Sequence, residues 1–158
     1  MRGLKSLAMR GITFPIRQTF KGPAMPQSIF VNIPVSDIPR SRAFYQALGF
    51  AINERFSDAT AACVVVSDTI YFMILNHDRF RGFATLPLAD TTKSTSVLIA
   101  LSRDDRAGVD AITEAALKAG GSEPKPASDL GFMYNRTFMD PDGNVFEPMW
   151  MDPAAVNG

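Results

Sequence analysis

Near the end of the chain one carboxylate, Glu147, sits in the apolar run Val145-Phe146-Glu147-Pro148-Met149. Hydrocarbon surroundings disfavour the charged form of a carboxylate, which suits a general base acting on an acidic carbon–hydrogen bond. The same glutamate tied to Arg136 or Asn32 is a structural pair, and both readings stay open. Asn32 stands midway along the alternating stretch Ile29–Val35, where its amide either orients a substrate carbonyl or satisfies nearby backbone. Tyr134 and Arg136 lie two apart on one strand face; a guanidinium suits a carboxylate or phosphate group, and a solvated face is the alternative. His77, the only histidine, lies between Asn76 and Asp78 and reads as a loop residue or a proton shuttle at a cavity mouth. Cys63, the only cysteine, lies in Ala-Ala-Cys-Val-Val-Val and reads as a buried core thiol.

These counts exclude several kinds of chemistry. One histidine cannot supply a two-His-one-carboxylate iron site within a single chain, and one cysteine allows neither an intrachain disulfide nor a cysteine-rich zinc site. No stretch resembles a P-loop or a dinucleotide-binding glycine fingerprint. The 16 basic and 16 acidic residues balance, but unevenly: Arg2, Lys5, Arg10, Arg17 and Lys21 all precede the first acid, Asp37. From Gln27 onward eleven basic residues meet sixteen acidic ones, a net of −5, which is no electrostatic footprint for nucleic acid. No apolar run approaches the roughly 18 residues of a membrane span. The expectation is a soluble, cytoplasmic protein with neither nucleic acid nor membrane as a partner.

The elements that would position these residues repeat. After the strand Ile29–Val35, Asp37 stands at a helix N-cap, Pro39 in the first turn, and Gly49 at the stop. Strands are expected over 50–56, 62–66 and 70–75, then a longer connection over 76–92 that has the length of a binding lid. The second half runs strand 96–101, helix 107–119 behind Asp104 or Asp105, a short strand near 122–125, and strands 132–139 and 145–149 around the turn Asp140-Pro141-Asp142-Gly143. Each half reads βαβββ. Residues 1–26 form a basic extension outside the fold, with organelle targeting as the alternative; the domain spans 27–153 in halves of about 27–90 and 91–153, and 154–158 is a tail.

The string Phe30-Val31-Asn32-Ile33-Pro34-Val35-Ser36-Asp37, then Ser41, Phe44-Tyr45 and Leu48-Gly49-Phe50, resembles the opening of the vicinal-oxygen-chelate superfamily, which unites glyoxalases, bleomycin-resistance proteins and extradiol dioxygenases. The run Asp140-Pro141-Asp142-Gly143-Asn144-Val145-Phe146-Glu147 resembles its terminal hairpin. With Ser67-Asp68, Lys93-Ser94-Thr95, Gly131-Phe132-Met133-Tyr134 and Met149-Trp150-Met151-Asp152-Pro153, the chain is similar to the lactoylglutathione-lyase-like branch.

The resemblance implies an α+β fold in which two βαβββ modules form a half-barrel cup of mixed sheet with helices outside, and it implies a homodimer. It also implies four metal-ligand positions. Here they fall on Phe30, Ile74, Leu98 and Glu147, so only the last keeps an oxygen ligand. No metal or other cofactor is therefore expected.

Strand alternation assigns Phe30, Asn32, Ile70, Phe72, Ile74, Ser96, Leu98, Ala100, Val145, Glu147 and Met149 to the cup face, a mostly apolar lining with few polar groups. The expected partner is a small organic molecule. Three functions follow: metal-independent lyase or isomerase chemistry with Glu147 as base, non-catalytic sequestration of a drug or metabolite, and metal-dependent lyase or dioxygenase chemistry.

Overall fold

The computed structural model describes residues 26–156. Strand β1 (Ile29–Val35) runs into helix α1 (Ile38–Ala47), whose N-terminus is capped by the Asp37 side chain accepting from the Arg40 N–H at 2.8 Å. Strands β2 (Ala51–Asn53), β3 (Ala61–Val65) and β4 (Ile70–Asn76) complete a mixed sheet in the order β1-β4-β3-β2, with β1 parallel to β4. The strand expected over 50–56 stops at Asn53. The Asn53 side chain accepts from the Arg55 N–H at 3.1 Å and starts a single 3-10 turn over Glu54–Phe56. The expected loop over 76–92 begins with helix α2 (His77–Phe83), capped by Asn76 through the Arg79 N–H at 2.9 Å.

The second half repeats the order with β5 (Leu98–Ser102) and α3 (Arg106–Lys118), the latter capped by Asp105 accepting from the Gly108 N–H at 2.7 Å. Then come β6 (Ser128–Asp129), β7 (Met133–Asn135), β8 (Phe138–Met139) and β9 (Val145–Met151), followed by one helical turn, α4 (Pro153–Val156). The second sheet runs β5-β9-β7-β6, with β8 also on β9 and β5 parallel to β9. The strand expected over 132–139 breaks in two because Arg136 faces Pro148, which accepts the Arg136 N–H at 3.1 Å but has no N–H to return. The short strand expected near 122–125 reduces to one bridge, Ser122 to Met139. The fold is α+β, with two open mixed sheets and four helices among the described residues. None of those helices is long and apolar enough to cross a membrane.

One core serves both sheets. Ile33, Val35, Phe72 and Ile74 from the first join Leu101 and Phe146 from the second, with Phe44, Tyr45, Ile112 and Ala116 from the two long helices. Phe72 and Phe146 approach to 5.7 Å between ring centroids, and the Tyr45 ring lies 6.3 Å from Phe72 and 6.0 Å from Phe146. The helix-covered faces of the two sheets therefore meet each other. Alternate residues along every strand point the opposite way, so the other two faces lie on opposite sides of the chain.

A buried carboxylate clasps the halves. Asp140, 4% exposed, accepts from the Tyr45 hydroxyl at 2.9 Å, from the Asp142 and Asn144 N–H groups at 2.9 Å each, and from the Asn144 amide at 2.8 Å. The Asn144 amide also donates to the Pro34 carbonyl at 3.1 Å, while Asp142 accepts from the Ser36 N–H and the Arg40 guanidinium, both at 2.9 Å. Gly143 is required in this turn: its φ is +85°, and a Cβ there would lie 2.9 Å from the Thr91 carbonyl oxygen. Burial pushes the Asp140 carboxyl above its ordinary range, partly offset by the bonds it accepts from Asn144 and Tyr45.

Removing the phenolic donor leaves that carboxylate short of one buried partner, so Tyr45→Phe should lower stability by about 1–3 kcal/mol, read as a lower midpoint in urea unfolding at unchanged slope. Asp140 should titrate by carbon-13 NMR above the ordinary carboxylate value. Because its folded pKa is the higher one, stability referable to this group should fall as pH rises through the interval between its unfolded and folded values.

Candidate functional site

The two outward sheet faces carry the exposed apolar side chains. On the first sheet Phe30 is 57% exposed and stacks on Tyr71, its partner in register, at 4.8 Å between centroids and 11° between planes. Asn32 and Met73 form the next pair along this face. On the second sheet Leu98 is 53% exposed, and Ala100 pairs with Glu147 and Ser102 with Met149. Glu147 does not stand alone: its carboxylate accepts from the Lys125 ammonium at 3.1 Å. Neither Arg136 nor Asn32 is its partner.

Phe72 and Ile74, which alternation assigns to the cup, are in the core, and the outward residues of β4 are Tyr71 and Met73. The strand Ile70–Asn76 is apolar on both faces, so its pattern has no phase from which facing can be read. The register with β1 settles it, since Val31 pairs with Phe72 and Ile33 with Ile74.

Tyr134 and Arg136 share a face, as their spacing requires, but it is the face turned to α3. The Tyr134 hydroxyl donates to Asp110 at 2.8 Å. Arg136 donates twice to Glu123, at 2.9 and 2.7 Å, and also to Glu114 at 2.9 Å and Asp110 at 3.2 Å. The guanidinium holds Glu123 below the usual carboxylate range. This arginine is occupied by three carboxylates of its own chain and is neither solvated nor turned to the Glu147 face. Beside it Arg106 lies over the Tyr134 and Trp150 rings, at 5.1 and 5.2 Å, while paired with Asp129.

Cys63 is buried, and burial pushes its thiol upward. His77 opens α2 beside an exposed cleft that Arg40 and Arg81 also line.

The residues at the ligand positions that the resemblance implies do not fit a metal. Phe30 and Leu98 are hydrocarbon, Ile74 is in the core, and its outward neighbour Met73 offers only a thioether. Among the described residues no group of three or more His, Cys, Asp or Glu could hold an ion.

Residues 27–67 match the family model for the bleomycin resistance protein-like N-terminal region. The whole fold matches solved structures. A hypothetical protein from S. aureus is 25% identical with a TM-score of 0.67, covering 80% of this chain and 95% of its own. A glyoxalase/bleomycin resistance protein/dioxygenase family enzyme from Burkholderia phytofirmans is 22% identical with a TM-score of 0.64, covering 77% and 96%. The chain shares its fold with these structures. A glyoxalase-related enzyme from Fulvimarina pelagi has the same fold at 17% identity, with a TM-score of 0.66 and coverage of 80% and 88%. No curated protein has a significantly similar sequence.

Lys125, Tyr71 and Met73 are the site residues that sequence reasoning missed. Lys125 lies 22 residues before Glu147 in a proline-flanked segment, and no local spacing announces the pair. Arg136→Ala should cost about 1–3 kcal/mol, because it strands Glu123 and Asp110 without their cation. The loss should be read as a lower midpoint in urea unfolding.

Proposed function

We propose that this chain is a small-molecule-binding protein of the bleomycin-resistance type, sequestering an organic ligand in a cup completed by a second copy of itself. The observation that carries the reading is the placement of the two outward faces. One offers the exposed Phe30–Tyr71 stack, the other offers Leu98 beside the Glu147–Lys125 pair, and they lie on opposite sides of one chain. A two-fold axis setting the first face of one protomer against the second face of its partner makes two identical cups. Each cup then has an aromatic platform for a planar group and one charged pair to orient a polar end.

Metal-independent lyase or isomerase chemistry finds less support. The Lys125 ammonium sits on one Glu147 oxygen, which makes the carboxylate half of an ion pair and not the isolated base that this chemistry calls for. Metal-dependent lyase or dioxygenase chemistry has one carboxylate where it needs several preorganised ligands. The reading therefore includes no divalent cation.

Sedimentation should give a dimer, and Phe30→Glu, which sets a charge into the apolar contact, should give a monomer. Metal-free bleomycin, titrated against the native dimer by calorimetry, should bind saturably with one molecule per cup. The cationic probe should lose about tenfold in affinity on Glu147→Gln, roughly the value of one charge-assisted contact. Turnover of the methylglyoxal–glutathione hemithioacetal that disappears in Glu147→Gln would establish the base role instead. Stoichiometric uptake of nickel or zinc, lost in the same variant, would overturn the metal-free reading.

A further inference from the structure

A separate cavity of about 390 Å³ lies between the edge of β1 and the start of β5, roofed by the connection over 84–97. Its volume is within the usual range for small-molecule sites. It shares Asn32 with the first outward face, but neither Phe30 nor Glu147 lines it. Twenty residues do, and none of them is ionisable, although the chain carries 16 basic and 16 acidic side chains.

That lining defines the chemistry. Val31, Ile33, Ile99 and Val145 form apolar walls, with Phe80 and Leu88 from the connecting segment opposite. A charged ligand entering here would lose its hydration and meet no counter-charge, a large penalty. A neutral ligand meets polar groups that are still free. The Asn144 amide and the Thr91 hydroxyl are spent on Pro34, Asp140 and Asp142. Among the described residues, by contrast, no side-chain hydrogen bond engages Asn32, Thr95 or Ser96. Both strands are also sheet edges: β1 pairs only with β4 and β5 only with β9, so the backbone groups on the cavity side have no neighbouring strand, although the Pro34 carbonyl is taken by the Asn144 amide.

We infer that this junction is a second binding site, for an uncharged, largely hydrocarbon small molecule carrying one or two hydrogen-bonding oxygens. The ligand lies between the two modules, held by apolar contacts from both and by the hydroxyl and amide groups at the strand edges.

The test uses the full chain and two fluorescent probes, neutral Nile red and anionic 1-anilinonaphthalene-8-sulfonate. Nile red should bind saturably, one per chain, with blue-shifted emission. Val97→Trp and Ala89→Trp, which fill the cavity from the residue just before β5 and from the middle of the roof, should each weaken it at least tenfold. Phe30→Glu, which disables the proposed cup, should leave Nile red affinity within twofold, so the failure of one site does not imitate failure of the other. If Val97→Trp does not fold, Ala89→Trp, placed on the exposed connection, decides alone. Three results would overturn the inference: no saturable Nile red binding, binding that survives the cavity-filling substitution but is lost in Phe30→Glu, or an anionic probe that binds as well as Nile red and is displaced by the same tryptophans.

Discussion

The hydrogen bond between the Tyr45 hydroxyl and the Asp140 carboxylate is the contact on which the arrangement of the two modules depends. Asp140 is almost fully withdrawn from water and satisfies its oxygens with four donors. Two of those donors are backbone groups of its own turn, so the carboxylate shapes the hairpin between β8 and β9. The Tyr45 donor comes from α1, so the same carboxylate pins the first module's helix to the second module's hairpin. Asp142 adds the Ser36 N–H and Arg40, and the Thr91 hydroxyl donates to its carbonyl. A buried carboxylate is tolerable only when fully hydrogen-bonded, and that condition ties three distant stretches of chain to one turn.

Once the modules are held this way, the aromatic side chains between them determine which faces look outward. Phe72, Phe146, Phe138, Phe44 and Tyr45 form a contiguous set of ring contacts. Burying them uses up the helix-covered sides of both sheets, and the opposite sides are left bearing Phe30 with Tyr71, and Leu98. Large apolar groups on two separate faces are a different problem from one cup within one chain. They are the ground for the proposal of a second copy as the cover, with the walls of the cup drawn from different protomers.

Charge follows the same division. Arg136, Asp110, Glu114, Glu123 and Arg106 form a connected network around α3, on the side away from Glu147. The Glu147 face keeps one ion pair, Lys125–Glu147, in an otherwise apolar field. Polar recognition at that face therefore depends on a single pair, whereas the cavity at the module junction has hydroxyl, amide and backbone groups only. The two places suit ligands of different charge.

By itself the amino-acid sequence determined the two βαβββ halves, the Asp37 cap, a second cap at Asp104 or Asp105, the tight turn at Asp140 to Gly143, the lone carboxylate Glu147 and the lack of histidines for a metal site. These are local signals: alternation, capping residues and turn chemistry act within a few positions, so they can be read in order along the chain. Alternation also sorted β1, β5 and β9 correctly, since each of them mixes polar with apolar positions. It failed for β4, apolar on both faces, and there only pairing with β1 turned Phe72 and Ile74 inward and Tyr71 outward. The Lys125 partner of Glu147, the carboxylates around Arg136 and the opposed outward faces were decided by tertiary structure alone. Each depends on contacts between residues far apart in the chain, and no period or spacing encodes which segment will arrive beside which.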